Sequence, residues 1–160
     1  MITDPAQVEL RETRAQAHSN CVVCSPANSR SLCLEFAASD DGGVRASFEC
    51  DKAFEGYAGM LHGGVITSLL DGAMTNCMFA CGIAAITAEL NVRFRHPVVT
   101  NQVAVVRAWI ERSSPPLYLL KAEILQDKEL KATASGKFME QAYSAAGIHQ
   151  SRRIELHAGG

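Results

Sequence analysis

The fold of this chain is decided by residues 62–80, which read HGGVITSLLDGAMTNCMFA. Apolar side chains lie almost all around a helix drawn over this stretch, and a helix of that kind belongs in the interior of a protein. Two glycines precede its apolar residues, and Gly82 is a natural stop after it. We therefore predict one long buried helix from about His62 to about Ala80.

Short runs in which apolar and polar residues alternate lie on both sides of this helix, a pattern that indicates half-buried strands. Before the helix, residues 32–36 and 44–50 alternate, and Asp40-Asp41-Gly42-Gly43 between them is a hairpin signal. After the helix, strands are predicted at 86–94, 101–112, 117–126 and 130–138. Because neighbouring strands mostly join by tight turns, we predict an α+β fold in which an antiparallel β-sheet curves around the single apolar helix.

The composition narrows the class of protein. The 160 residues fit one domain, and 48% hydrophobic with 20% charged residues is a globular composition. A net charge of −2 argues against an electrostatic nucleic-acid binder. The one long stretch poor in charge contains Asp71, and a carboxylate in a bilayer costs about 2.5–3.5 kcal/mol or more. We therefore expect no nucleic-acid partner and no membrane span.

The ends of the chain differ in character from its middle. Residues 4–18 predict a mostly polar surface helix capped by Asp4, and this charged N-terminus does not resemble a signal peptide. With no export signal, the six cysteines are expected to be reduced thiols in the cytoplasm. We divide the chain into an N-terminal helical extension (1–19), one domain (20–142) and a C-terminal tail (143–160).

A family resemblance is carried by residues 55–64 (EGYAGMLHGG), 70–74 (LDGAM) and 87–94 (TAELNVRF). These stretches resemble the hotdog-fold thioesterases, in particular the His-Gly-Gly group related to phenylacetate-pathway and THEM-type acyl-CoA thioesterases. The resemblance extends over about residues 20–140. It implies an antiparallel sheet wrapped around one long central helix. It also implies a homodimer, often paired into a homotetramer, with the active site at the subunit interface.

The resemblance also implies catalytic roles. Thioester hydrolysis needs a group that activates water and hydrogen-bond donors for the oxyanion. Asp71 matches the acidic catalytic position, and Thr87 matches a hydroxyl near the reacting centre. Gly63 and Gly64 match the segment that donates to the oxyanion, and His62 orients that turn or the thioester. Alternative structural roles remain for three of these residues: Thr67 or Ser68 capping Asp71, His62 merely capping the helix, and Thr87 as an ordinary strand threonine.

Asp71 is the only ionisable residue of the helix after His62, which favours a functional role or a partner for it. Gly72 beside it costs roughly 1 kcal/mol relative to Ala in a helix interior. That cost predicts close packing of another helix or a ligand against the helix at Gly72.

The spacing of the predicted catalytic residues has a geometric consequence. Asp71 lies nine positions after His62, which corresponds to about 13 Å of helical rise and to opposite sides of the helix. One chain therefore cannot easily bring its own Gly63 amide and Asp71 to the same carbonyl. We expect a composite site, with His62 and Gly63 from one subunit and Asp71 and Thr87 from its neighbour.

Four further residues are predicted to bind the substrate. Arg93 and Arg95 lie on the polar face of a predicted strand and are suited to the phosphates of coenzyme A, the alternative being a solvated sheet face. Met60 and Leu61 directly precede the His-Gly-Gly motif.

Cys21-x-x-Cys24, with His18 and Cys33 nearby, raises the alternative of a zinc site. A second Cys-x-x-Cys pair is missing, so we predict no metal and no cofactor.

Together these features predict an acyl-CoA thioesterase that acts on a small or medium acyl or aryl group through water activated by Asp71. The alternative is a non-catalytic hotdog protein that binds acyl-CoA as a sensor. A hotdog dehydratase or hydratase fits less well, because His62 lies in a Gly-Gly turn.

Overall fold

The structure is a computed structural model, and it describes residues 4–141. The predicted C-terminal tail, 143–160, lies outside the described residues. Two α-helices and six strands follow one another along this part of the chain: α1 (Pro5–Ala17), β1 (Ala37–Ala38), β2 (Val44–Glu49), α2 (Gly63–Phe79), β3 (Ala85–Phe94), β4 (Val103–Ser114), β5 (Leu117–Gln126) and β6 (Glu129–Glu140).

The six strands form one sheet in the order β1-β2-β4-β5-β6-β3, and every neighbouring pair is antiparallel. Helix α2 packs against β2, β3, β4, β5 and β6, so the sheet curves around it. The helix is buried along most of its length, and its side chains form one core with the inward-facing residues of the strands. The predicted α+β hotdog architecture is confirmed.

Helix α2 begins and ends close to the predicted bounds. His62 is its N-cap and Ala80 its C-cap. The chain then turns through Cys81 and Gly82, and Gly82 adopts a φ of 70°, a conformation that favours glycine. No helix within residues 4–141 has both the length and the apolar character needed to cross a bilayer.

The predicted strand at 32–36 differs from the structure, where only Ala37 and Ala38 pair with β2. Leu34 and Phe36 are nevertheless buried, as the alternation indicates. The backbone of this segment bonds elsewhere: the Leu32 amide donates to the Val22 carbonyl at 2.8 Å, and the Leu34 amide to the Val23 carbonyl at 3.0 Å. The segment is therefore tied to the preceding loop instead of to the sheet.

Strand β3 departs from strict alternation at a β-bulge. Its pairing with β6 shifts between Thr87 and Glu89, so Ala88 is an extra residue. Thr87 pairs with the buried Phe138, and Leu90 and Val92 also face the core. Strict alternation over the predicted strand 86–94 would place Thr87 on the face opposite to Leu90 and Val92, and that expectation is wrong because period-two counting does not detect a bulge.

Helix α1 packs more closely than predicted. Asp4 caps it as expected, with the Ala6 amide donating to Asp4 Oδ1 at 3.1 Å. The helix is mostly exposed, but Leu10 is fully buried and α1 packs on α2. Gln7 also bonds to the backbone at β1, where its Oε1 accepts from the Ala38 amide at 2.8 Å. The division into an extension and a domain stays a prediction.

Candidate active site

The N-terminus of α2 leaves one amide available. His62 Nδ1 accepts a hydrogen bond from the Gly64 amide at 2.8 Å, and the His62 carbonyl accepts from the amides of Val65 and Ile66. Within residues 4–141, the Gly63 amide has no hydrogen-bond acceptor. Because the first amides of a helix carry partial positive charge, Gly63 is suited to donate to an oxyanion.

The loop before α2 holds His62 in this position. The Leu61 amide donates to the Val98 carbonyl and the His62 amide to the Phe54 carbonyl, both at 2.9 Å. Gly56 lies beside His62, and a Cβ at Gly56 would be 3.3 Å from His62 Cα. The absence of a side chain at Gly56 therefore allows the loop to fold back onto the start of the helix.

A cleft of about 630 Å³ opens at this helix end. Four predicted site residues line it: Met60, Leu61, His62 and Gly63. Its other walls are mostly apolar or aromatic, and they include one more predicted residue, Arg95, along with Gly56, Tyr57, Ile66, Phe94, His96, Pro97 and Val98. No carboxylate is among the described residues that line this cleft.

The predicted acid lies elsewhere on α2. Asp71 is partly buried, and the Thr87 hydroxyl donates to its Oδ1 at 2.7 Å. Burial raises the pKa of Asp71, and the Thr87 hydrogen bond acts in the opposite direction. Thr67 and Ser68, the alternative hydrogen-bond partners of Asp71, bond elsewhere. Their hydroxyls donate to the carbonyls of Gly63 and Gly64, each at 2.9 Å.

The loop that contains the two cysteines lies against Asp71. The negative charge of Cys21 raises the pKa of Asp71 and the charge of His18 lowers it, so both residues lie within electrostatic reach of the acid. Gly72 packs against the same loop, because a Cβ there would lie 2.6 Å from Val23 Cγ1. The expectation of another helix or a ligand at Gly72 was therefore wrong. The Cys-x-x-Cys motif marks this loop in the sequence, but it does not indicate where the loop packs.

The structure thus brings the predicted site residues together in two groups. The cleft holds Met60, Leu61, His62, Gly63 and Arg95, whereas Asp71 and Thr87 form a separate pair that does not line the cleft. Gly64 lies in neither group, and its amide is not free to bind an oxyanion because it donates to His62 Nδ1.

Arg93 lies away from the cleft. It is exposed on a shallow surface depression together with Trp109, Lys121 and Glu123, and Arg95 lines this depression as well as the cleft. The two arginines that were predicted to bind substrate phosphates therefore share this depression, and of the two only Arg95 also lines the cleft.

Residues 58–131 match the family model for the thioesterase superfamily. Over this stretch the hotdog domain is similar to the thioesterase superfamily. Among curated relatives, the chain is 27% identical over 107 residues to acyl-coenzyme A thioesterase THEM4 of Bos taurus. The match covers 66% of this chain and 44% of the relative. The chain thus spans about half the length of the curated relatives it matches.

Solved structures of the superfamily share the fold. A putative thioesterase of Ralstonia eutropha JMP134, described as related to phenylacetic acid degradation, is 25% identical with a TM-score of 0.67, covering 82% of this chain and 98% of its own. A Streptococcus mutans UA159 protein bound to acetyl CoA is 15% identical with a TM-score of 0.65, covering 75% of this chain and 94% of its own.

Proposed function

We propose that this thioesterase-superfamily protein is an acyl-CoA thioesterase that hydrolyses small or medium acyl- or aryl-CoA. The observation that carries the proposal is the pairing of a partly buried carboxylate, Asp71, with the hydroxyl of Thr87. A buried acid with a hydroxyl donor and a raised pKa is suited to accept a proton from water. The relatives named as acyl-coenzyme A thioesterases support this reaction class.

In the proposed reaction, the Asp71 carboxylate takes a proton from a water molecule whose oxygen attacks the thioester carbonyl carbon. Thr87 donates to one carboxylate oxygen and so leaves the other to bind the water. The C–S bond then breaks, and the sulfur leaves with the proton that Asp71 received, which gives the carboxylic acid and free coenzyme A. Asp71 is the catalytic residue, and Thr87 positions it.

The oxyanion is assigned to the Gly63 amide. Of the first amides of α2, those of Gly64, Val65 and Ile66 already donate to His62, whereas that of Gly63 has no acceptor within residues 4–141. One amide donor in a site shielded from water contributes about 10²–10³-fold to the rate of an acyl transfer. His62 thereby acts as the helix cap that orients Gly63.

We propose that two subunits complete the site. Asp71 and Thr87 do not line the cleft that contains Gly63, and the described residues lining that cleft include no carboxylate. A second copy of the chain, with its Asp71 against this cleft, would supply the missing base. The expected assembly is a homodimer or a pair of dimers.

The cleft indicates how the substrate binds. Its apolar walls, which include Met60, Leu61 and Phe94, suit an acyl or aryl group. Arg95 lies at the border with the outer surface and is assigned to the coenzyme A phosphates, with Arg93 further along the same strand. The related fold bound to acetyl CoA supports this class of ligand.

The state of the cysteines supports a proposal for the cellular compartment. All six cysteines are free in the structure, including four that are buried or half-buried. Free thiols in this number fit a reducing compartment, and we propose the cytoplasm.

The test is hydrolysis of a panel of short, medium, long and aryl acyl-CoA thioesters, followed by the ultraviolet absorbance of the thioester. We expect turnover by the wild type and a loss of about 10²–10⁴-fold in Asp71→Asn, with substrate binding retained. Asp127→Asn is the matched control, because Asp127 lies exposed in a turn at positive φ, where asparagine is well tolerated. Tight binding by the wild type without turnover would instead favour the acyl-CoA sensor.

Subunit mixing tests the composite site. Asp71→Asn and Gly63→Ala are each expected to lose most of their activity, but a mixed dimer would contain one site with both an intact Asp71 and an intact Gly63. Activity should therefore return when the two variants are unfolded and refolded together. Equal inactivity of mixed and unmixed samples, with mixed dimers demonstrated by mass spectrometry, would contradict a shared site.

A further inference from the structure

A cluster of potential metal ligands lies at the end of α1, apart from the cleft. His18 is the C-cap of α1, and Cys21 and Cys24 follow it in the next turns of chain. One ring nitrogen of His18 and the two sulfurs all lie within 4.8 Å of one another. Cys33, the fourth residue considered from the sequence, is exposed and lies outside the cluster.

The backbone around the cluster is tightly folded. The Cys21 amide donates to the His18 carbonyl at 3.2 Å, and the Ser25 amide donates to the Cys21 carbonyl at 3.0 Å. The Val23 amide donates to the Cys21 sulfur at 3.3 Å. Hydrogen bonds from the backbone to a sulfur orient it and favour its thiolate, which is the form that binds metals.

A second observation points to a ligand at the same place. Two buried side-chain atoms within residues 4–141 have no hydrogen-bond partner, His18 Nδ1 and Asn76 Oδ1. Asn76 is fully buried on α2 and lies against Cys24. A buried polar atom without a partner costs about 1–3 kcal/mol, so such atoms are rare and need an explanation. Here both belong to the surroundings of the same cluster.

We propose that His18, Cys21 and Cys24 bind a zinc ion. One imidazole and two thiolates are ligands that Zn²⁺ prefers, and three protein ligands leave its fourth position to water. One ring nitrogen of His18 would be a ligand of the metal, and Asn76, which contacts Cys24, would lie beside the ion. On binding, both thiols lose their protons to solvent, and no electron is transferred.

The proposed site would join three parts of the fold. His18 ends α1, the two cysteines lie in the loop that follows, and Asn76 lies on the buried side of α2. A zinc ion there would hold this loop against α2 beside Gly72 and Asp71. The proposal does not depend on the reaction that the protein catalyses.

The metal content of the full-length protein tests the proposal. Protein purified under reducing conditions without chelator is measured by inductively coupled plasma mass spectrometry, then stripped and reloaded with Co²⁺. We expect about one zinc ion per chain, thiolate-to-cobalt charge-transfer absorption after reloading, and a higher Tm for the zinc-loaded than for the stripped protein. Absence of both zinc and the charge-transfer band would overturn the proposal, as would a Cys21–Cys24 disulfide in the protein so prepared.

Variants assign the ligands. Cys24→Ser and His18→Asn should each lower the zinc content several-fold, while the matched controls Cys33→Ser and Cys81→Ser, at exposed cysteines outside the cluster, should retain it. Circular dichroism verifies that the variants fold. If Cys24→Ser does not fold, His18→Asn and the stripped wild type still decide the outcome. Zinc that remains at wild-type content in folded His18→Asn would show that the ion is adventitious or bound elsewhere.

Discussion

The Thr87 hydroxyl donates to Asp71 Oδ1 across 2.7 Å because β3 contains one extra residue, Ala88, directly after Thr87. Without the bulge, the alternation of β3 would place Thr87 on the face opposite to Leu90 and Val92. With it, Thr87 joins them on the side that faces α2. Bulges often redirect a side chain at a functional site, and this one supplies a hydroxyl to the acid proposed to be catalytic.

Replacing Thr87 tests this hydrogen bond. In Thr87→Val the shape is kept but the donor is lost, so the pKa of Asp71 should rise further, since the hydroxyl is what opposes the effect of burial. A hydrogen bond to a charged group is worth about 1.5–3 kcal/mol, so we expect about a tenfold or larger loss of kcat/KM at neutral pH. The acidic limb of the pH–rate profile should move to higher pH. Thr87→Ser should restore both, and an unshifted profile in Thr87→Val would show that the hydroxyl does not act on Asp71.

Asp71 should also make stability depend on pH. Its folded-state pKa is raised above the ordinary value of 3.8, mainly by burial, so the native state holds the proton more tightly than the unfolded chain. Stability is therefore lost as the pH rises from about the unfolded value through the raised folded value. In Asp71→Asn this loss disappears, while Thr87 can still donate to the amide oxygen.

The measurement is Tm against pH for the wild type and Asp71→Asn. The Tm values of the wild type and the variant should agree most closely at acidic pH. As the pH rises, the variant should have the higher Tm. A variant that is less stable than the wild type at neutral pH would contradict a destabilising, buried carboxylate.

Much of the architecture was predictable from local patterns. The apolar composition of residues 62–80 indicates a helix that only a surrounding sheet can bury, and the turns between the later strands indicate antiparallel order. The bulge at Ala88 and the pairing of 32–36 with the cysteine-containing loop were not predictable. Both depend on which backbone groups meet in three dimensions, and alternation reports only which side chains are buried.

The candidate site was predictable as a set of residues but not as an arrangement. The motif marks both glycines alike, whereas the structure gives the Gly64 amide an acceptor in His62 and gives the Gly63 amide none among residues 4–141. The separation of Asp71 from the His62 end of α2 follows from helical geometry alone. The packing of Val23 on Gly72 does not, because the contact joins distant parts of the chain.

The two glycines that begin α2 should respond differently to substitution by alanine. A Cβ at Gly63 would meet the Phe94 ring at 3.5 Å, an ordinary contact, so Gly63→Ala should fold with little change in Tm. The added methyl group would nevertheless project where the carbonyl must approach the amide, and we expect a loss of activity of about 10²-fold.

In Gly64→Ala, by contrast, a Cβ would lie 3.0 Å from His62 Nδ1 and displace the capping imidazole. Loss of a cap costs about 0.5–2 kcal/mol, so this variant should show a lower Tm. Thermal unfolding and acyl-CoA hydrolysis of both variants provide the comparison. Full activity in folded Gly63→Ala would show that the substrate carbonyl does not reach this amide past the α-carbon of residue 63.

The contact between Gly72 and Val23 predicts a coupled pair. In Gly72→Ala the new Cβ would overlap Val23 Cγ1, and overpacking of this kind costs about 1–3 kcal/mol. In the double variant Val23→Ala/Gly72→Ala the overlap is removed, and part of the stability should return. Urea unfolding of the wild type, both single variants and the double variant measures the coupling. Additive effects of the two substitutions would show that the loop moves away freely.

The fit of Val23 on Gly72 has a consequence for how such chains diverge. Alanine in place of Gly72 is tolerated only if residue 23 becomes smaller. The two positions should therefore covary among homologues, although they lie 49 positions apart in the sequence. The same constraint governs loop grafting: a cysteine-containing loop transplanted from a relative should fold on this helix only when its residue at position 23 complements a glycine.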